Sequence, residues 1–291
     1  MNGRRAVIGL CMLCALLVSA IGAQSAVAKE FGTTAYTCKL KSPEGGVGFS
    51  KEHCRPADAV TTGAKFEHVE IPVNVQTELI GSNAETNEAT NEAEKTFLKS
   101  TRAGIDLELE AGGVANEGAA TMINKTKVNA KGDTEMYAEG EGKILYTGVK
   151  VKKPAGNGCV VWKEEHAGPP VTHTGREEIV TKQLMATTEG QPKPTEEMFL
   201  NVTPVTAPTF AVFYVTSCTT TSLNGTYEVI GTVKGRPDGA TTVFAFEDTK
   251  KQASLRLGGQ IAELQGKITL SARVNTTQSL KPISPTTSEN T

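Results

Sequence analysis

Among 291 residues there are one Trp, four His and no excess of positive charge. Lys and Arg number 30 against 32 Asp and Glu, a formal net charge of -2. A chain without a basic field has no electrostatic grip on DNA or RNA and no polybasic anchor for anionic lipid. No G-x-S-x-G elbow occurs, which removes the usual α/β-hydrolase nucleophile. H-E-x-x-H, a P-loop and a G-x-G-x-x-G between strand and helix are missing too, as is a D-x-D-x-D-G calcium loop. Outside Cys11-Met12-Leu13-Cys14, which lies in an N-terminal apolar run, there is no C-x-x-C, so the rest of the chain lacks the common redox and zinc signatures. No cofactor is called for.

What the chain does have begins at residue 1. In MNGRRAVIGLCMLCALLVSAIGAQSAVA, Arg4 and Arg5 precede an apolar run from Ala6 to Ala23, and Ala26-Val27-Ala28 offers an A-x-A cleavage site before Lys29. These are the three parts of a secretory signal. The run is nearly long enough for an uncleaved anchor, but the small residues before Lys29 favour cleavage. Cys11 and Cys14 each follow Leu, unlike a lipid-attachment site, and the surroundings of Arg4-Arg5 fit a twin-arginine signal poorly. Residues 1-28 are therefore expected to leave, with Arg4 and Arg5 and no acid, so the mature charge is 28 against 32, or -4. No later stretch is apolar enough to span a bilayer. The expected location is secreted, extracellular or cell-envelope associated, with no membrane insertion after cleavage.

Four cysteines remain: Cys38, Cys54, Cys159 and Cys218. An even number in an exported chain reads as disulfides, and three pairings exist. The nearest pairs, Cys38-Cys54 and Cys159-Cys218, close the shorter loops and are the expected bridges.

Thr (38) and Gly (29) are abundant, which favours strands and turns over helices. In EHVEIPVNVQTEL, Val69, Ile71, Val73, Val75 and Leu79 alternate with polar residues, a half-buried strand with Pro72 at an edge or bulge. Ile105, Leu107 and Leu109 alternate likewise with Asp106, Glu108 and Glu110, and Leu223, Tyr227, Val229 and Val233 share another face. TFAVFYV (209-215) is apolar on both faces and predicts a central strand. Gly258-Gly259 suits a tight hairpin before Leu264, Ile268, Leu270 and Val274. The one helical candidate, Ser82 to Lys99, has a possible capping box at Ser82 and Glu85 but no apolar stripe, so it reads as a solvated loop or a short surface helix. The pattern predicts an all-β fold, an antiparallel β-sandwich or barrel-like set of sheets. The chain divides into a signal peptide (1-28), a small cystine-pinned N-terminal subregion (29-65), a β-sandwich-like main domain (66-278) and a disordered tail (279-291). One sandwich or two stacked ones fit equally.

The second half resembles a group of secreted β-rich proteins of unknown function from soil actinobacteria. The likeness covers about 140-273 and rests on GEGKILYTGVKVKKPAGNGC (140-159), LMATTEGQ (184-191), SLNGTYEVIGTVKGRPDGATT (222-242) and LRLGGQIAELQGKITL (255-270). Many members carry a cysteine where Val149 stands here. The resemblance implies an exported β-rich protein and no assigned activity.

Candidate chemistry is sparse. EEHAGPPVTH holds Glu164, Glu165, His166 and His173, and zinc takes imidazole and carboxylate ligands. Glu164, His166 and His173 are thus the candidate metal ligands and the first suspects for a hydrolytic site; an ordinary polar loop is the commoner origin of such a cluster. His53 adjoins Cys54, which cannot supply a thiolate if bridged, and His68 lies on a polar strand face. Glu139 and Glu141 share a strand face, in keeping with an acidic surface. For sugar binding, which needs flat aromatic platforms, the candidates are Trp162, Tyr137 and Tyr146; Trp162 packed on a cystine is the structural alternative. Asn124, Asn201, Asn224 and Asn275 begin N-x-S/T sequons that a Thr-rich chain produces by chance. The function expected is an exported non-enzymatic module, structural or binding, with an unknown extracellular or cell-envelope partner. The alternatives are a secreted carbohydrate-binding module and a secreted hydrolase with an unrecognised site.

Overall fold

The computed structural model describes residues 31-50, 59-83, 95-128, 130, 132-166, 170-189, 199-237, 243-246, 254-273 and 283-285. The signal segment, His53, Cys54 and hence the expected Cys38-Cys54 bridge, and Asn275 lie outside them. The strands begin with β1 (Phe31–Leu40), β2 (Gly48–Phe49), β3 (Ala59–Val60), β4 (Phe66–Glu70), β5 (Thr77–Asn83), β6 (Thr96–Arg102) and β7 (Ile105–Ala111). Next come β8 (Gly113–Asn116), β9 (Thr121–Val128), β10 (Thr134–Gly142), β11 (Ile144–Thr147), β12 (Lys150–Lys153), β13 (Val160–His166) and β14 (Thr172–Arg176). They continue with β15 (Glu178–Val180), β16 (Leu184–Glu189), β17 (Phe199–Pro204), β18 (Thr209–Thr216), β19 (Gly225–Ile230) and β20 (Val233–Pro237). The last are β21 (Val243–Phe246), β22 (Arg256–Leu257), β23 (Gln260–Ile261), β24 (Glu263–Arg273) and β25 (Ile283–Pro285). Among the described residues the only helical element is the 3-10 turn Thr221–Leu223.

Eight of these strands close on themselves. β5 pairs with β9, β9 with β10, β10 with β16 and β16 with β17. β17 then pairs with β20, β20 with β21, β21 with β24, and β24 returns to β5. Every step is antiparallel, so the ring is an eight-stranded barrel, the size at which side chains just fill the interior. Leu79, Leu200, Val202, Phe246, Ile268 and Leu270 supply that filling, each at most 9% exposed.

The first turn of β24 leaves the ring. Glu263 to Gln265 pair with Phe97 to Lys99 of β6, β6 pairs with β7, and β7 with β12. Gly266 marks the change of partner: its φ is +150°, and a Cβ there would lie 2.7 Å from Thr96 Oγ1. Facing this sheet is a second one, β14-β13-β18-β19-β22-β23. Leu107, Leu109, Phe213, Val215, Val229 and Leu255 are almost fully buried between the two. Each such side chain contributes about 1.5-3 kcal/mol by leaving water. The molecule is thus a barrel and a two-sheet sandwich sharing one strand, with β8, β11 and β15 paired between them.

The all-β expectation is met, and several details of it are corrected. The strand expected across 66-79 is two strands. Pro72 has no N–H to donate, Asn74 takes φ +63°, and Val75 N–H donates to Pro72 C=O, forming a turn. Val73 and Val75 are consequently 36% and 43% exposed instead of sharing the burial of Ile71 and Leu79. The loop or helix expected at 82-99 ends in β6, and Ser82 itself is a β5 residue paired with Thr269. The 29-65 segment is joined to the main body, since β1 pairs with β4 across that boundary and with β10. Within the tail, Ile283 to Pro285 form β25 against Thr33 to Ala35. The hairpin at Gly258-Gly259 stands as expected, with φ of +55° and +85°.

Asn124 on β9 is fully buried, and its Nδ2 donates to Ile71 C=O at 2.8 Å. Its amide therefore fixes the turn segment against the barrel, and a sequon asparagine held this way offers nothing to a glycosylation enzyme. Asn124→Leu should destabilise the protein by about 1-3 kcal/mol, since a buried carbonyl loses its donor; an unchanged urea midpoint would refute this.

Three proton equilibria point one way. Burial pushes the Tyr146 and Tyr227 hydroxyls above the ordinary value of 10.0, Arg102 partly opposing it at Tyr227. The hydrogen bond to Glu139 raises Lys125 above 10.5. In each case the folded protein holds its proton more tightly than the unfolded chain does. This stability is complete below about pH 10 and is lost as pH rises beyond it. The urea midpoint should fall between pH 8 and pH 11, and Tyr146→Phe should flatten that fall.

Candidate functional site

The hairpin β13–β14 and the neighbouring β18 carry the most distinctive surface. Val161 and Val215 alternate into the core at 1% and 0% exposure, which turns Trp162 and Tyr214 outward. Pairing sets them in a transverse row: Arg176 opposes Trp162, Trp162 opposes Tyr214, and Tyr214 opposes Thr226. Trp162 is half-buried, and its Nε1 donates to Thr216 Oγ1 at 2.8 Å.

His173 joins this row from β14. Its ring centroid lies 5.6 Å from Trp162 and 6.2 Å from Tyr214, edge-on to the tyrosine. Strict alternation from Arg176 would aim His173 at the opposite face. Between them Gly175 has φ +65°, and a Cβ there would come within 2.6 Å of Lys163 Cβ, so the strand bends where only glycine fits. His173 Nε2 lies 3.1 Å from Glu165 Oε2, which orients the imidazole.

The base of the row is clamped. Cys159, just before β13, is joined to Cys218, just beyond β18, with the Cα atoms 4.1 Å apart. Asn224 accepts from Cys218 N–H at 2.9 Å and donates to Cys218 C=O at 3.4 Å, while Asn157 accepts from the N–H groups of Thr219 and Thr220. Below the sheet Phe213 stacks on Tyr227 at 5.2 Å. The Tyr227 hydroxyl donates to Leu223 C=O, and the Arg102 guanidinium lies 4.1 Å from that ring's centre. Trp162 and Tyr214 thus project from a rigid base.

The candidate ligands Glu164, His166 and His173 are not brought together. His166 opposes Thr172 and His173 opposes Glu165, adjacent rungs whose side chains point to opposite faces. Two separate pairs result: His166 with Glu164 at 3.9 Å and His173 with Glu165 at 3.1 Å. Among the described residues no group of three or more His, Cys, Asp or Glu is placed to hold a metal ion. The aromatic candidates separate as well. Tyr137 is on the barrel, with Lys127 Nζ 5.5 Å from its ring centre, and Tyr146 packs against the core, leaving Trp162 alone of the three. Trp162 has the His173 ring beside it and Tyr214 opposite it on β18. Glu139 is paired with Lys125, and Glu141 accepts from Gln183, as suits an ordinary surface. His68 opposes Cys38 on the β1–β4 ladder. Asn224 spends its amide on Cys218, and Asn201 lies within β17 opposite Thr187.

Sequence reasoning missed Arg176, His173 and Tyr214 as neighbours of Trp162. A signal was available: a bridge between Cys159 and Cys218 on antiparallel strands brings residues near 162 opposite residues near 214. The chain matches no protein-family model, no curated protein and no solved structure.

Removing the bridge tests the base of the site. With its ends 59 positions apart in the chain, the disulfide should contribute about 2-4 kcal/mol by restricting the unfolded chain. Cys159→Ala with Cys218→Ala should lower the unfolding free energy by that amount in urea; a loss below about 0.5 kcal/mol would contradict it.

Proposed function

We propose that this is an exported, non-enzymatic binding module that meets an extracellular or cell-envelope partner through the outer face of β14, β13 and β18. One observation carries the reading: Arg176, Trp162 and Tyr214 stand in a row on adjacent strands, backed by a disulfide and a buried core. Trp, Tyr and Arg are the residue types that anchor interfaces, because each offers large contact area and few rotors, or a planar donor. Export is supported by the signal-like segment and by an oxidised cystine, which persists outside the reducing cytosol.

A macromolecular partner is favoured over a sugar. His173 lies against Trp162, and Tyr137 and Tyr146 are elsewhere, so the three candidate rings form no shared platform. The hydrolase reading loses support from the separation of Glu164 and His166 from His173.

The test is binding to isolated cell envelopes, compared among wild type, Trp162→Ala, Tyr214→Ala and, as a control, Tyr137→Ala, with circular dichroism confirming the fold. Trp162→Ala and Tyr214→Ala should each weaken binding about tenfold or more, the loss expected at an anchor residue, and Tyr137→Ala should leave it unchanged. Equal binding by all four proteins would refute the site. Saturable binding to a purified glycan that Trp162→Ala abolishes would replace the partner with a sugar.

A further inference from the structure

The row on β14, β13 and β18 contains one charge that the protein itself does not answer. Arg176 stands directly opposite Trp162, so the two side chains leave the sheet on the same side, with Cβ atoms about 5 Å apart. Its guanidinium is exposed and has no hydrogen bond or ion pair among the described residues. Two other arginines of the sandwich are committed: Arg102 donates to the carbonyls of Ser222 and Thr226, and Arg256 to that of Gly259. The carboxylates near Arg176 are engaged elsewhere. Glu165 Oε2 lies 3.1 Å from His173 Nε2, Glu164 accepts from Thr174 at 3.5 Å, and Glu178 is 3.8 Å from Lys163. Across the sheet, Glu228 accepts from Thr209 at 2.6 Å. The Tyr214 hydroxyl, on the same face as Arg176, is also without a partner among the described residues.

An exposed arginine needs no partner while water hydrates it. Its neighbour changes that. A partner that buries Trp162 strips water from the guanidinium beside it, and a charge buried without a counter-charge is strongly unfavourable. The described residues offer no acceptor, so the partner must bring one. The planar fork of arginine matches a carboxylate through two parallel hydrogen bonds. The rest of the face calls for hydrocarbon, since Val160 and Val212 lie half-buried on the same side as Trp162 and Tyr214. The His173 ring is tilted 33° to the indole, so the two do not make the flat shelf on which a sugar ring stacks. Spacing sets the length of the contact: Arg176 to Tyr214 spans two inter-strand steps, about 10 Å, which an extended segment covers in about three residues.

We infer, on the reading proposed above, that the partner is a protein segment bearing an aspartate or glutamate. Its carboxylate takes the Arg176 guanidinium, an apolar side chain of the segment covers Trp162, and a carbonyl about three residues from the acid accepts from the Tyr214 hydroxyl.

The experiment follows the emission of Trp162, the only Trp in the chain, while the purified protein is titrated with short synthetic peptides. These place Leu, Phe or Pro within about three positions of Asp, Asn or Lys. Asp peptides should bind saturably, and Asn or Lys in place of Asp should weaken binding about tenfold or more, the worth of a charge-assisted hydrogen bond. Arg176→Gln should weaken the Asp peptides by the same factor and leave the Asn peptides unchanged, which assigns the loss to the pair. Raising NaCl from about 0.05 to 0.5 M should weaken the wild type and not Arg176→Gln. A peptide set with no binder, equal affinity for Asp and Asn peptides, or Asp peptides indifferent to Arg176→Gln would each overturn the inference. So would an acidic polysaccharide such as polygalacturonate that binds through Arg176 while every peptide fails. If Trp162→Ala and Tyr214→Ala still lose cell envelopes in any of those cases, the binding face stands without its acidic partner; if they do not, both fall.

Discussion

The architecture depends on β24 satisfying two hydrogen-bond ladders in succession. Ile268 to Arg273 pair with β5 and complete the barrel, whereas Glu263 to Gln265 pair with β6 and begin one sheet of the sandwich. Neither body retains its sheet order without this strand. Buried amide groups must be paired, and an unpaired one costs about 1-3 kcal/mol, so a continuous strand holds the bodies together more firmly than a flexible linker would. Small cavities beside Thr96 lie where β24 changes partners at Gly266, a place where two curved sheets meet without fully interlocking.

Much of the fold was legible in the sequence because period-two alternation survives wherever one face of a strand is wet. Ile105 to Ala111 is the clean case: Leu107 and Leu109 face inward, while Glu108 and Glu110 meet Lys153, Lys95 and Lys152 outside. The same alternation misled at 66-79, since it is blind to a turn whose residues happen to keep the rhythm. At Pro72 and Asn74 local backbone chemistry overrides it. Barrel closure was not legible, because β5 and β9 meet through only two residue pairs separated by more than forty positions in the chain. No local pattern encodes such a contact.

The candidate site was half legible. Trp162 stood out by rarity, and the Cys159–Cys218 bridge was anticipated from loop length. What remained hidden was register. Tyr214 lies in a stretch of continuous hydrophobicity, TFAVFYV, that read as buried on both faces; in the structure Phe213 and Val215 are buried, while Val212, Tyr214 and Thr216 are half-buried on the outer side. The sequence makes His173 a candidate metal ligand by residue type alone, beside the commoner reading of an ordinary polar loop. A glycine bend two residues along decides that its ring joins Trp162 instead.

Ring closure also governs how the protein behaves at high concentration. A closed barrel has no free rim of amides, whereas the sandwich sheets present strand borders on which another chain could polymerise. Each of those borders is blunted. β12 reads Lys-Val-Lys-Lys, β23 is two residues long, and β14 is bent at Gly175 and ends in Arg176. A strand-rich molecule is thereby equipped to remain dispersed without forming fibrils.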